Sequence, residues 1–158
     1  MTPSAAALPD PGRRRILAAG AGGAAALLFT WRPARAGPGE SEAAIRTLTG
    51  GVAPTPGRVR FDVPPLVENG NSVPVTVTVD SPMTEAEHVR RIAIFNERNP
   101  QPNVIVAHLG PRAGRAILST RMRLATSQRV VAVAELSDGT FWSDSVEVVV
   151  TLAACVEG

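Results

Sequence analysis

From Val59 onward the chain is built of short apolar runs, several of which alternate with polar residues. Val73-Pro74-Val75-Thr76-Val77-Thr78-Val79 puts valines on one side and threonines on the other, the period-two pattern of a strand with one buried face. Pro74 stands near that strand's start, where a missing donor does least harm. Val59–Val63 precedes Pro64-Pro65. His88–Phe95 and Asn103–Leu109 flank a loop, Asn96–Pro102. Arg115–Ala125, in which Met122 and Leu124 alternate with Arg121 and Arg123, and Arg129–Leu136 come next. Ser137-Asp138-Gly139-Thr140 has the form of a hairpin turn with glycine where φ is positive, and Phe141–Thr151 supplies the closing strand. Seven strands at a spacing of about 8 to 14 residues, with almost no helix, predict an all-β, immunoglobulin-like antiparallel sandwich. There is no Cys…Trp…Cys pattern, so it is not an antibody-type domain. A sheet face left uncovered by this arrangement would need a partner.

One helical segment precedes the strands. In Glu40–Thr49 the apolar Ala44, Ile45 and Leu48 share a face, acids occupy the first turn and Gly50-Gly51 stops the helix. Such a helix could pack on the fold or only tether it. Pro54-Thr55-Pro56-Gly57 then breaks the chain. Ser81-Pro82-Met83-Thr84-Glu85 has the spacing of a capping box, but Pro82 and the strand that follows make it a turn. Asn69-Gly70-Asn71 is a turn signal as well. Arg90-Arg91 and Arg121-Met122-Arg123 sit among apolar neighbours, as on a solvated or partner-facing surface.

The N-terminus carries an address. Gly12-Arg13-Arg14-Arg15-Ile16-Leu17 opens a stretch of Ala, Gly and Leu from Ala18 to Phe29, followed by Ala34-Arg35-Ala36, an A-x-A cleavage site. The paired arginines and the weakly hydrophobic, glycine-containing core resemble a twin-arginine export signal. A dozen apolar residues fall short of the ~20 that a membrane span requires. The expected product is a periplasmic protein, cleaved after Ala36, with no membrane span in its mature form. Residues 1–36 are thus a signal peptide, 37–57 a helix and linker, 58–151 the sandwich and 152–158 a C-terminal arm.

Charge changes with that division. The 158-residue chain has a formal net charge of +2, but five of its sixteen basic residues and only one of its fourteen acids lie in the first 36 positions. The remainder holds eleven basic against thirteen acidic residues, a net of −2, which excludes a general phosphate-binding surface and hence nucleic acid as a partner.

The chemistry gathers at the other end. Cys155 is the only cysteine, and only Val156, Glu157 and Gly158 follow it, too few to fold back over a core position. Outside the cytoplasm an unpaired cysteine points to an intermolecular bond or a reactive group. With the last strand ending near Thr151, four residues carry the sulfur away from the fold, a reach of about 13 Å at about 3.3 Å per extended residue. A copper site from His88, His108, Met83, Met122 and Cys155 is disfavoured, because blue-copper sites set a His close to the Cys on one loop and none follows Cys155. No nucleophile elbow, phosphate loop or metal-ligand spacing is present, so the chain reads as a non-enzyme without cofactor or metal.

Four ordered blocks give the chain a family likeness: Val67-Glu68-Asn69-Gly70-Asn71-Ser72-Val73-Pro74-Val75, Asp80-Ser81-Pro82-Met83-Thr84-Glu85-Ala86-Glu87, Ser119-Thr120-Arg121-Met122-Arg123-Leu124-Ala125 and Leu136-Ser137-Asp138-Gly139-Thr140-Phe141-Trp142. Together with the export signal and the terminal strand, these resemble the SoxY sulfur carriers of bacterial thiosulfate oxidation. The resemblance implies a β-sandwich paired with a SoxZ-like subunit as a heterodimer. It also implies a swinging C-terminal arm whose cysteine, here Cys155, is loaded with sulfur and presented to client sulfur-oxidising enzymes or cytochromes.

The arm itself departs from the family pattern. Where SoxY carriers end in Gly-Gly-Cys-Gly-Gly, this chain reads Ala153-Ala154-Cys155-Val156-Glu157-Gly158, similar to a SoxY-related subgroup with an Ala-Ala-Cys-Ile-Glu arm. Replacing glycine by Ala or Val removes backbone conformations and adds bulk, so an enzyme cut for the glycine arm is expected to reject Val156. Glu157 and the terminal carboxylate put negative charge beside the sulfur, which is expected to raise the thiol above its free value of about 8.5 and leave activation to positive groups on a client enzyme. Two functions stay open: a covalent sulfur carrier, or a non-catalytic extracytoplasmic binding or assembly module whose cysteine is vestigial or forms an intermolecular disulfide.

Overall fold

A computed structural model describes residues 38–154. The proposed signal peptide, residues 1–36, and residues 155–158 lie outside the described residues. The first described element is a helix, α1 (Pro38–Thr49). Nine strands follow: β1 (Thr55–Pro56), β2 (Val59–Asp62), β3 (Leu66–Val67), β4 (Val73–Val79), β5 (Val89–Asn96), β6 (Asn103–His108), β7 (Ile117–Met122), β8 (Gln128–Leu136) and β9 (Phe141–Val150). Seven of them match the seven expected runs. The additions, β1 and β3, are two-residue segments that pair with β9 in parallel, too short to leave a periodic signal. The long run Arg115–Ala125 contributes only its middle as strand.

The strands form an all-β sandwich. A large sheet runs β1-β9-β8-β5-β6, with β3 also on β9, and a small sheet runs β2-β4-β7; all pairs among the long strands are antiparallel. The valines of β4 face inward and are buried, its threonines half-buried on the outer side, as their alternation requires. Pro74 is tolerated because β2 reaches only as far as Thr76 on that side, which leaves β4 an edge at the proline. Between the sheets these valines meet Ile92 and Ile94 of β5, Val130, Ala132, Ala134 and Leu136 of β8, and Val148 of β9.

The opposite faces of β5 and β8 are buried too. Ala93, Phe95, Val131 and Val133 form a second cluster against Ala44, Ile45 and Leu48 of α1 and against Phe141. The helix therefore packs on the fold rather than tethering it. Arg91, expected on an open surface, is recruited to this packing: its guanidinium is paired with Glu135 and donates to the Leu48 carbonyl at 3.3 Å, so that it joins the helix end to the sheet. Central strands covered on both sides carry near-continuous apolar runs, which is why β5 and β8 do not alternate. No helix among the described residues is long and apolar enough to cross a membrane.

The β8–β9 turn is the expected hairpin, with Gly139 at φ +83°. Asp138 accepts hydrogen bonds from the Thr140 backbone N–H at 2.9 Å and the Thr140 hydroxyl at 2.7 Å, which hold its carboxyl below the usual aspartate range. Ser81–Glu85 is loop, as Pro82 demands.

Candidate functional site: the root of the C-terminal arm

The terminal segment begins where β9 ends, at Val150; two loops meet it there and a third braces one of them. One joins β3 to β4 and carries Asn69-Gly70-Asn71; one joins β7 to β8 and carries Leu124 and Ser127; the third joins β5 to β6. Ser127 binds both backbone groups of Val150, its Oγ accepting from the nitrogen at 2.9 Å and donating to the oxygen at 3.4 Å. Thr151 continues the β3 ladder: its N–H donates to the Val67 carbonyl at 3.0 Å, and its hydroxyl lies 3.3 Å from the Glu68 carbonyl.

Beyond Thr151 the chain stays bonded to the fold. Gly70 N–H donates to the Leu152 carbonyl at 2.8 Å, Ala154 N–H donates to the Leu124 carbonyl at 3.1 Å, and Leu124 N–H donates to the Gly70 carbonyl at 2.8 Å. These three bonds close a triangle of arm, glycine loop and core loop. Leu124 is fully buried and Ala154 only 6% exposed, whereas Leu152 is 63% exposed and Ala153 also faces solvent. The expectation of a free segment from Leu152 on is corrected here: strand pairing stops at Val150, but the backbone remains fixed through Ala154. Of the named site residues, Ala153 and Ala154 are placed at this root, and Cys155, Val156, Glu157 and Gly158 lie outside the described residues.

Gly70 is required by crowding rather than by its dihedral angle. A Cβ at this position would overlap the Leu124 carbonyl oxygen, lie 2.9 Å from the Ala154 nitrogen and 3.1 Å from Val150 Cγ1. Sequence reasoning marked Asn69-Gly70-Asn71 as a turn, and Asn69 Oδ1 does accept from Asn71 N–H at 2.9 Å; the close approach to Ala154 leaves no mark in the local sequence.

The loops are themselves held by a buried amide network. Gln128 Oε1 accepts from the N–H groups of Glu97 (3.1 Å) and Arg98 (2.8 Å), and its Nε2 donates to Asn99 Oδ1 at 2.8 Å. Asn99 in turn accepts from Ala125 N–H at 3.0 Å and donates to the Arg123 carbonyl at 2.7 Å. This fixes the backbone on either side of Leu124. The other candidate ligands are dispersed: Met83 is buried with its sulfur 3.4 Å from Val89 N, Met122 is in the core, His88 Nδ1 lies 3.1 Å from the Thr84 carbonyl, and His108 is exposed on β6. Among the described residues no three His, Cys, Asp or Glu side chains stand together as a metal site.

Comparison with known proteins now bears on this geometry. The profile of the family described as "Sulfur oxidation protein SoxY" matches residues 45–155. The chain belongs to the SoxY family. No individual curated protein matches it significantly in sequence. Among solved structures, the sulfur carrier protein SoxY from Chlorobium limicola f thiosulfatophilum is 29% identical with a TM-score of 0.60, over 72% of this chain and 98% of that one. A superoxide reductase (neelaredoxin) from Ignicoccus hospitalis is 17% identical with a TM-score of 0.52, over 60% and 80% of the two chains. A putative superoxide reductase from Thermotoga maritima is 20% identical at 0.51, over 62% and 87%. At these identities the superoxide reductases share the fold with this SoxY-family chain and nothing more is carried over from them.

Proposed function

We propose that this chain is a periplasmic covalent sulfur carrier, exported by the twin-arginine route, in which Cys155 holds a sulfur intermediate while client enzymes act on it. The observation that carries this reading is the extent of the family match, which runs through the sandwich and ends on Cys155, the chain's only cysteine. The fold supports the division of labour: the sandwich delivers the backbone to one end, where loops tied by a polar network hold Ala154, the residue before Cys155.

The chemistry asked of the protein is small. A Cys155 thiolate joined to the sulfur of a thiolate-type sulfur compound forms one S–S bond and releases two electrons, which a client cytochrome or other oxidant must accept; two-electron reduction of the adduct, with uptake of two protons, breaks that bond and frees both thiols again. The chain contributes the sulfur atom and the clients contribute the redox groups, so the protein is a carried substrate rather than an enzyme. A SoxZ-like subunit is the proposed partner, as the family implies.

Intact-mass measurement on protein purified from its own cells tests the reading. Adducts of sulfur-containing groups that vanish on reduction and are missing from Cys155→Ser are expected. Unmodified chain or disulfide dimer alone would instead favour the binding or assembly module.

A further inference from the structure

The triangle of backbone bonds at the arm root sets how far Cys155 can travel. While Ala154 is held, the Cys155 Cα lies within about 3.8 Å of the Ala154 Cα, because that is the length of one trans peptide step. With the two bonds to Leu152 and Ala154 broken and Thr151 still laddered to Val67, four residues extend from the fold and the reach rises to about 13 Å. The difference separates a client that brings its reactive group to the surface of this protein from one that draws the cysteine into a recess.

The geometry points to Gly70 as a positioning residue that holds the arm in a docked, short-reach state, from which it is released to a long-reach state by breaking Gly70 N–H to Leu152 O and Ala154 N–H to Leu124 O. Three observations combine. Both bonds are made by main-chain groups, so they neither depend on nor disturb the side chains of the sandwich core. The loop partners are rigid, since Leu124 is fully buried and its neighbours are tied by Asn99 and Gln128. The space that admits Ala154 exists only because residue 70 has no side chain. Ala154 also has the size the place requires: its methyl is buried there, whereas the neighbouring Ala153 and Leu152 face solvent. A Cβ at residue 70 would overlap the Leu124 carbonyl oxygen, the acceptor of the Ala154 N–H, and also crowd the Ala154 nitrogen at 2.9 Å, so it is expected to displace that acceptor and release the arm together.

This inference rests on Cys155 being the working group of the arm, and it concerns the placement of that group rather than its cargo. The single cysteine makes the test direct: a nitroxide on Cys155 reports arm mobility, and hydrogen exchange of the C-terminal peptide reports the bonds. In the purified protein the amides of Gly70 and Ala154 are expected to be protected, and the nitroxide to give a restricted spectrum. Gly70→Ala is expected to speed exchange of the Ala154 amide by about tenfold, the factor for one lost hydrogen bond of ordinary strength, and to sharpen the nitroxide lines, with exchange in the middle of β9 unchanged. Ala154→Pro removes the donor from the arm side and leaves residue 70 alone, so it gives the same sharpening even where Gly70→Ala folds poorly. Unprotected amides in the wild-type protein, or a nitroxide spectrum the same in wild type and Ala154→Pro, would overturn the docked state. Neither readout depends on sulfur loading, so an absence of native adducts would count against the carrier reading alone.

Discussion

At the scale of single residues, the polar groups around the arm root carry more structural weight than their loop positions suggest. Gln128 is 3% exposed and its amide bonds two main-chain N–H groups, an asparagine and the Thr126 carbonyl. Replacing it with Leu keeps the bulk and strands two donors in the Glu97-Arg98 turn. The expected cost is about 2–3 kcal/mol in urea unfolding, because a buried group left without its partner costs about 1–3 kcal/mol and solvent recovers part of that here. Nothing in the local sequence announces this role. Asn96–Pro102 is recognisable as a loop from its composition, but which carbonyl or amide it binds is decided by a loop about thirty positions away, and such partnerships carry no periodicity. Gly70 is the same case in sharper form: as part of Asn-Gly-Asn it signals a turn, and the reason it must be glycine is a backbone that arrives from the far end of the chain.

The elements were far more legible, because each is set by burial on one face or two. The Val-Thr alternation of β4 matches a strand with one face on the core, and the continuous runs of β5 and β8 match strands covered on both. What the pattern leaves open is the cover. The apolar stripe of α1 fits either a tether or a lid, and Ala93, Phe95, Val131 and Val133 decide for the lid by offering it a surface. Ile45→Ala and Leu48→Ala are each expected to lower unfolding stability by about 1–2 kcal/mol, the low end for large-to-small changes since both side chains are only half-buried. Arg91→Met is expected to cost about as much although no apolar area is lost, because Glu135 and the Leu48 carbonyl lose the cation that joins them. A double variant of Arg91→Met with Leu48→Ala costing less than the sum of the two measures how far these contacts act as one.

For the molecule as a whole, the proposed carrier role assigns folding and chemistry to different residues. The described fold extends through Ala154, and Cys155 follows it by one peptide bond. Two substitutions should therefore separate cleanly. Leu124→Ala, in the fully buried side chain beneath the arm root, is expected to lose about 2–5 kcal/mol of stability while the surviving folded protein still carries a reducible adduct. Cys155→Ser is expected to leave thermal and urea unfolding within about 0.5 kcal/mol of wild type, the range for substitutions outside the packed structure, and to abolish every adduct. A destabilised Cys155→Ser protein would mean that the thiol is part of the core and not a group held out for others to modify. The same separation applies at the N-terminus, where N-terminal sequencing of the exported protein is expected to begin at Gly37, one residue before α1.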